Sequence, residues 1–230
     1  MPKLKTFSNP YFETNIFNKT IKFANTQNQP SYIQNRVSRL KSKEPETIEW
    51  INSMNPDSIF FDVGANIGIY TICAGAKNIK TYSFEPHAVN FSNLCETISI
   101  NDYDHCVAYC LALSDQSKFD KISIKNYYAG VADNQVGQSN DLCHGVMMHT
   151  LDEFVLNNVL PQPTHIKIDV DGHEEKFYKG AKETLKRCNS ILFEIENQYS
   201  YIADDILNFG FNLKGKYKRN EEEHNYIFSK

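Results

Sequence analysis

The chain has 230 residues, of which 41% are hydrophobic and 23% charged, a composition typical of one globular domain with a sizeable core. Its formal net charge of −4 gives it no general affinity for nucleic acids or membrane surfaces. No apolar run approaches the roughly 20 residues that span a bilayer, and the start of the chain lacks the apolar centre of a signal peptide, so we expect a cytoplasmic protein.

Residues 1–43 form a polar N-terminal extension, in which residues 15–25 have the pattern of a short strand pair. The segment EPETIEWINSM (44–54) predicts a helix with Pro45 in its first turn. Residues 44–230 contain no internal repeat and no change of composition, which indicates that they form one domain.

The six cysteines form no Cys-x-x-Cys pair and match no zinc-binding spacing. Cys73, Cys95 and Cys188 lie on the apolar faces of predicted helices. We therefore interpret them as small buried side chains and not as metal ligands or disulfide partners.

Strand and helix patterns alternate from residue 59 onward. Short apolar runs such as SIFFDVG are typical of strands buried on both faces, and HAVNFSNLCETISI predicts a helix with Phe91, Leu94, Cys95 and Ile98 on one stripe. EEKFYKGAKETLKRC predicts a single helix, and FNLKG with NYIFSK predicts a final antiparallel pair. This alternation predicts an α/β fold with a doubly wound, mostly parallel sheet. The other predicted strands are KTYSFEP, CVAYCLALS, HIKIDVDG and SILFEIE, whereas residues 116–149 are less regular, with a strand-like KISIK.

The stretch DVGANIG marks the turn from the first of these strands into its helix. Gly64 lets the chain turn sharply, and the missing side chains of Gly64 and Gly68 let a ligand lie against the main chain. The helix amino terminus adds N–H groups and partial positive charge, which suit a carboxylate or a phosphate. Glu85 ends the second strand 17 residues after Gly68, where a carboxylate can accept both ribose hydroxyls of an adenosine. These residues, with Asn66 between the glycines, predict a cofactor site.

Two cofactors fit this turn. A dinucleotide favours G-x-G-x-x-G, whereas the glycines here are spaced Gly64-Ala-Asn-Ile-Gly68. Asp62 precedes them, and its carboxylate repels a pyrophosphate but suits the ammonium and sulfonium charges of S-adenosylmethionine. The pattern therefore favours S-adenosylmethionine over NAD. The structural alternative is a tight turn that tolerates the acid and binds no ligand.

With its other motifs, the sequence resembles the FkbM family of S-adenosylmethionine-dependent methyltransferases from about residue 44 to residue 196. The resemblance implies a class I methyltransferase fold, which is a Rossmann-like sheet of seven strands in the order 3-2-1-4-5-7-6, and O-methylation of hydroxyls on sugars, glycans or small metabolites. It also implies that Asp115 neighbours the adenosine. Asp171 stands where the family more often has Glu, and His173 where a small residue is common, so no family role transfers to His173. The motifs in question are EPETIEWI, FFDVGANIGIYT, FEPHAVNF, LALSD, TLDEF, HIKIDVDGHE, KGA and ILFEIE.

Methyl transfer is an in-line displacement that usually requires removal of the acceptor's hydroxyl proton. Strand alternation places Lys167, Asp169 and Asp171 on one face of HIKIDVDG, and charges on a central strand are costly unless they are paired or functional. Asp169 is the best candidate to contact the substrate or the methionyl group. An ion pair between Lys167 and Glu194 is the structural alternative for those two residues. His173 begins a helix, where imidazole stays neutral and could act as a base, or could simply be solvated.

A metal site and three other functions remain open from the residues alone. Asp169, Asp171, Glu194 and Glu196 could together hold Mg²⁺, but nothing in their spacing requires it, so we expect no metal. A nucleotide-dependent oxidoreductase is disfavoured by the glycine spacing, and a non-catalytic binding module by the intact cofactor motif. An RNA methyltransferase is disfavoured because no basic stripe with interleaved aromatic residues is present. Acceptor choice is expected to depend on residues 1–58 and 116–149.

Overall fold

The computed structural model describes residues 11–26, 30–124, 127–131, 135–136 and 142–230. Within these residues the strands, in chain order, are β1 (Tyr11–Ile16), β2 (Lys19–Ala24), β3 (Ile59–Val63), β4 (Lys80–Phe84), β5 (Cys106–Tyr109), β6 (Ala112–Leu113), β7 (Lys118–Ser123), β8 (Gln135–Val136), β9 (Cys143–His149), β10 (His165–Ile168), β11 (Ser190–Glu196), β12 (Asn212–Lys218) and β13 (Glu223–Ser229). The helices are α1 (Pro30–Ser38), α2 (Leu40–Lys43), α3 (Pro45–Asn52), α4 (Ile69–Ala76), α5 (Ala88–Ile100), α6 (Leu151–Leu156), α7 (Glu174–Lys179), α8 (Lys182–Leu185) and α9 (Tyr201–Asn208). None of them has the length and apolar character needed to cross a lipid bilayer.

A seven-stranded sheet with the order β12-β13-β11-β10-β3-β4-β5 forms the centre of the molecule. The five strands from β11 to β5 are parallel, and β13 runs antiparallel between β11 and β12. Helices cover both faces, which confirms the predicted α/β class. The chain winds outward in both directions from β3 and β10, so the carboxyl ends of these two strands form the crevice in which such sheets bind ligands.

Alternate residues of the central strands serve two separate cores. Phe61 and Val63 pack on one face with Ile166 and Ile168, while Phe60 packs on the other. This second face also receives the N-terminal strands and α1 to α4. The described part of the N-terminal extension therefore belongs to the same folded core as the sheet.

The N-terminal hairpin β1–β2 is held by side chains of α5. Thr97 Oγ1 accepts a hydrogen bond from the Ala24 amide at 3.1 Å, and Asn93 Nδ2 donates to the Ala24 carbonyl at 2.9 Å. Asn101 bonds to both the amide and the carbonyl of Lys22, at 2.9 and 2.7 Å. Because β2 is an edge strand, these amide and hydroxyl groups satisfy main-chain atoms that would otherwise lack partners.

This docking corrects the predicted orientation of α5. The helix was expected to bury Phe91, Leu94, Cys95 and Ile98, but its fully buried residues are Asn90, Asn93, Leu94 and Thr97. Cys95 is exposed, so the prediction for this cysteine is wrong, whereas Cys73 and Cys188 are buried free thiols as predicted. A search for apolar stripes misses a helix face that is polar because it binds a neighbouring backbone.

Two other predicted elements are divided in the structure. The run CVAYCLALS forms β5 in the central sheet and then β6, which belongs to a second sheet of order β6-β9-β7-β8. The single helix predicted over residues 174–188 is two short helices, α7 and α8. They separate at Gly180, where an added Cβ would lie 1.9 Å from the Ser114 carbonyl oxygen, so the helix surface packs directly on another segment's backbone.

We expect Gly180→Ala to lower the free energy of unfolding by about 1–3 kcal/mol or more, because main-chain atoms of Ser114 have no rotamer with which to move away. Gly145→Ala is the matched control, since nothing lies within 4 Å of its Cβ position, and it should change stability by less than about 0.5 kcal/mol. Denaturant unfolding of both variants makes the comparison. Equal stabilities would show that the contact at Gly180 is not tight in solution.

Candidate functional site

A cavity of about 310 Å³ opens at the carboxyl ends of the central strands. The strand order places β4 and β5 on one side of it and β10, β11 and the β12–β13 hairpin on the other. Five of the predicted site residues line this cavity: Gly64, Asn66, Glu85, Asp169 and His173. The other lining residues are Arg36, Lys43, Val63, Phe84, Pro86, Asn90, Leu111, Ala112, Leu113, Ile122, Val170, Asp171, Glu194, Arg219, Asn220 and Glu223.

Gly64 makes the sharp turn that the sequence predicts, and the structure adds a second reason for glycine at this position. Its φ is +77°, and an added Cβ would lie 1.7 Å from the Asp169 carbonyl oxygen. The missing side chain therefore lets the turn after β3 pack against the end of β10, and only the Gly64 backbone faces the cavity. At Gly68 an added Cβ would lie 2.4 Å from Leu94 Cδ1, which makes this glycine a packing position outside the cavity lining.

Glu85 is held rigidly at the end of β4. Its two carboxylate oxygens accept hydrogen bonds from the amides of Asn66, at 2.7 Å, and His87, at 2.8 Å. Burial raises the pKa of Glu85 to about 7, although both amide donors oppose the increase. Each carboxylate oxygen keeps a lone pair for a further donor, so the side chain can accept two hydroxyl groups of a ligand in the cavity.

Asn66 connects the glycine turn to a second segment, residues 127–131. Its φ of +53° is a conformation that Asn adopts more readily than most residues. Its Nδ2 donates to the Val131 carbonyl at 3.0 Å, while its amide bonds to Glu85. Asn90 Nδ2 also donates to Val131, at 3.2 Å. Together these bonds close one wall of the cavity.

Asp62 lies behind the glycine turn and is fully buried. Its Oδ2 accepts a 2.6 Å hydrogen bond from Thr71, and its Oδ1 has no hydrogen-bond partner among the described residues. Burial raises the pKa of Asp62, against the opposing charge of Lys167. Asp62 does not line the cavity, so any influence on a ligand passes through the turn or through Lys167 and not through direct contact.

Lys167 is a buried cation on β10 with only 1% of its surface exposed. Its Nζ lies 2.9 Å from Asp169 Oδ2 and 4.7 Å from the centre of the Tyr70 ring. Burial opposes its charge, but Asp169, Asp62 and Glu44 together raise the pKa of Lys167. Burial likewise disfavours the charge of Asp169, yet Lys167 outweighs it and lowers the Asp169 pKa.

The predicted alternative of a Lys167–Glu194 ion pair is wrong. Glu194 lies one residue beyond the register in which β10 and β11 pair, and it binds Arg219 Nε at 3.1 Å. Arg219 Nη2 also binds the buried Glu44 at 2.8 Å. Burial and the nearby Asp169 raise the pKa of Glu194 to about 8, despite Arg219.

Carboxylate oxygens of Asp169, Asp171 and Glu194 lie within 4.8 Å of one another. Such a group is able to hold a cation. However, Lys167 and Arg219 already pair with two of its three members. The negative charge that a divalent ion needs is therefore largely neutralised.

His173 and Asp115 belong to one hydrogen-bonded chain. Ser114 Oγ donates to Asp115 Oδ1 at 3.1 Å and lies 2.9 Å from His173 Nε2. Because the single hydroxyl proton goes to Asp115, we assign the Nε2 proton to His173. Burial, with the neighbouring Lys176, lowers the pKa of His173 to about 4, so it is neutral near pH 7. Asp115 does not line the cavity, whereas His173 does.

The charged and polar lining residues that sequence reasoning missed come from outside the central strands. Arg36 and Lys43 come from α1 and α2, and Arg219, Asn220 and Glu223 from the β12–β13 hairpin. No motif marks them. The available signal was the basic cluster KGKYKR, which ends at Arg219.

Comparison with known proteins finds a matching family and similar sequences and structures. The model of the methyltransferase FkbM domain matches residues 62–226. A hexuronic acid methyltransferase from Haloferax volcanii is 26% identical over 162 residues, which cover 70% of this chain. The match spans 65% of that relative, which is less than two thirds of its length.

Solved structures show the same fold. A precorrin-6y C5,15-methyltransferase from Geobacter metallireducens GS-15 has a TM-score of 0.50 at 12% identity, over 81% of this chain and 86% of the other. A tRNA (uracil-54, C5)-methyltransferase from Pyrococcus abyssi, in complex with S-adenosyl-L-homocysteine, has a TM-score of 0.51 at 8% identity, over 96% and 45%. The expected class I methyltransferase fold is thereby confirmed. Because the family model covers well over half of its residues, the chain belongs to the FkbM methyltransferase family.

Proposed function

We propose that the protein transfers a methyl group from S-adenosylmethionine to a hydroxyl oxygen of a sugar or glycan. The observation that carries this proposal is Glu85, fixed by two amides at the edge of a cavity located where the strand order reverses. Membership of the FkbM family supports the reaction, and the hexuronic acid methyltransferase among its relatives supports a sugar acceptor.

In this proposal the adenosine lies on the β4 side of the cavity. Glu85 accepts the ribose hydroxyls, and Pro86, Leu111 and Leu113 provide apolar contacts for the adenine. The Gly64–Asn66 backbone then faces the methionyl part. Asp62 and Asp115 support this end of the cavity from behind it.

The acceptor lies on the opposite side, against charged and polar side chains. Asp169, Asp171, Glu194, Arg219, Asn220 and Glu223 line this end. Such a set of hydrogen-bonding groups matches the hydroxyls of a sugar ring better than it matches an apolar substrate. The long basic track with stacking aromatics that a nucleic acid would need is absent from the described part of this cavity lining.

The carboxylates at this end have unequal proton affinities. Asp169, with its lowered pKa, is a weak base that is suited to hold the acceptor or the methionyl ammonium. Lys167 is a positioning residue, since it fixes the charge and orientation of Asp169. Glu194 has a pKa near 8, so above that pH its ionised carboxylate is a stronger base than Asp169 and is better matched to accept the hydroxyl proton. His173 holds the cavity wall through Ser114.

The first prediction concerns cofactor choice. Calorimetry should show binding of S-adenosylhomocysteine and none of NAD, and Glu85→Ala should weaken S-adenosylhomocysteine binding about 10- to 100-fold, since hydrogen bonds to a charged group contribute about 1.5–3 kcal/mol. Glu174→Gln is the control, because this buried carboxylate also has a pKa of about 7 but does not line the cavity. Binding of NAD alone would contradict the proposal.

The second prediction concerns pH. If ribose binds the ionised form of Glu85, the affinity for S-adenosylhomocysteine should rise with pH up to about 7 and then level off. Below that value the free protein must first release a proton, so each pH unit costs up to about tenfold in affinity. Titrations between pH 5.5 and 8.5 should show this slope in Glu174→Gln and lose it in Glu85→Gln. A slope that persists in Glu85→Gln would assign the proton to another group.

The third prediction separates the two candidate carboxylates. With an acceptor identified by a screen of sugars and labelled S-adenosylmethionine, Glu194→Gln should reduce the single-turnover rate on the order of 10²-fold. Asp169→Asn should reduce both the rate and the melting temperature, because Lys167 loses its closest counter-ion. Rates and melting temperatures are measured on the same preparations. A lower melting temperature with an unchanged rate would make Asp169 part of the scaffold only.

A further inference from the structure

Arg36, like Lys43, is a cavity-lining cation that has no role yet in the proposed reaction. It is half-buried on α1, and its Nε donates a 2.6 Å hydrogen bond to the Gly130 carbonyl. Gly130 is itself fixed, since its amide donates to Asn90 Oδ1 at 2.9 Å. The guanidinium is thus anchored along one edge, while its terminal N–H groups have no hydrogen-bond acceptor among the residues that the structure describes.

The other two cations of the cavity differ from Arg36 in having counter-ions. Lys43 lies 3.4 Å from Glu44, and Arg219 binds both Glu44 and Glu194. In the described parts of the chain no carboxylate lies within 4.0 Å of Arg36. Its charge nevertheless acts on Glu85 and Asp169, which lie on the two sides of the cavity. It favours the ionised form of both, so it opposes the rise in the pKa of Glu85 and adds to the lowering of the pKa of Asp169.

A half-buried guanidinium without a counter-ion is energetically unfavourable, because it has lost part of its hydration without gaining a partner. A carboxylate satisfies it best, since two parallel N–H groups can bind two oxygens at once. We propose that Arg36 is the carboxylate-binding residue of this cavity. The inference rests on the proposed function, which offers two carboxylates: the methionyl carboxylate of the cofactor, and a uronate on the sugar acceptor.

The test compares Arg36→Met with Arg39→Met, which removes the same charge from an exposed position outside the cavity lining. Calorimetry uses S-adenosylhomocysteine and 5′-methylthioadenosine, which lacks the amino acid part. If the partner is the methionyl carboxylate, Arg36→Met weakens S-adenosylhomocysteine binding about 10- to 100-fold and leaves methylthioadenosine binding unchanged. Arg36→Lys should restore part of this loss, since it keeps the charge without the bidentate geometry.

If the partner is a uronate, S-adenosylhomocysteine binding stays unchanged. Protein loaded with S-adenosylhomocysteine then binds a phenyl glucuronide more tightly than a phenyl glucoside, and Arg36→Met abolishes this preference. The proposal is wrong if Arg36→Met changes neither the advantage of S-adenosylhomocysteine over methylthioadenosine nor the preference for the glucuronide. It is also wrong if Arg36→Met weakens the binding of both cofactor analogues equally, because that result indicates general damage to the protein. Failure of the wild-type protein to bind S-adenosylhomocysteine would instead refute the proposed function, so the two failures are distinguishable.

Discussion

The structure depends on a set of charged groups buried in and behind the cavity wall. Lys167 pairs with Asp169 and is also stabilised by the charge of Asp62, and Arg219 joins Glu44 to Glu194. These residues come from the start of α3, from three neighbouring strands and from the β12–β13 hairpin. Desolvated charges are tolerated only as a complete set, because removing one leaves its partner buried and uncompensated. The positions of the carboxylates that line the cavity are therefore coupled to the packing of α3 and of the β12–β13 hairpin.

The side of the cavity proposed to hold the cofactor could be predicted from the sequence because it follows from strand chemistry. A buried parallel strand is an apolar run in the sequence, so its end, the turn after it and the acid at the end of the next strand can be located by counting residues. Gly64, Asn66 and Glu85, which were located in this way, do line the cavity. Strand alternation also gave Asp169, whereas Asp62, which was chosen from its place before the glycines, and Asp115, which the family resemblance implies, do not line the cavity. Burial depth at a strand end depends on what packs above it, which no local pattern contains.

The charged residues that α1 and the β12–β13 hairpin bring to the cavity were not predicted from the sequence, for a different reason. Arg36 lies on a nine-residue helix with few apolar residues, PSYIQNRVS, and reaches the cavity only because tertiary contacts place α1 beside Gly130. Arg219 follows a strand that is exposed along most of its length, and it is drawn inward by Glu44 and Glu194. Polar residues that become buried through long-range pairing carry the same local signal as polar residues on the surface.

The way α5 holds the N-terminal hairpin has an evolutionary consequence. Thr97, Asn93 and Asn101 bind main-chain atoms of Lys22 and Ala24, so the contact depends on the path of β2 and not on its side chains. Substitutions along the exposed positions of β2 leave these bonds intact. The hairpin can consequently change its exposed side chains while it keeps its place on α5.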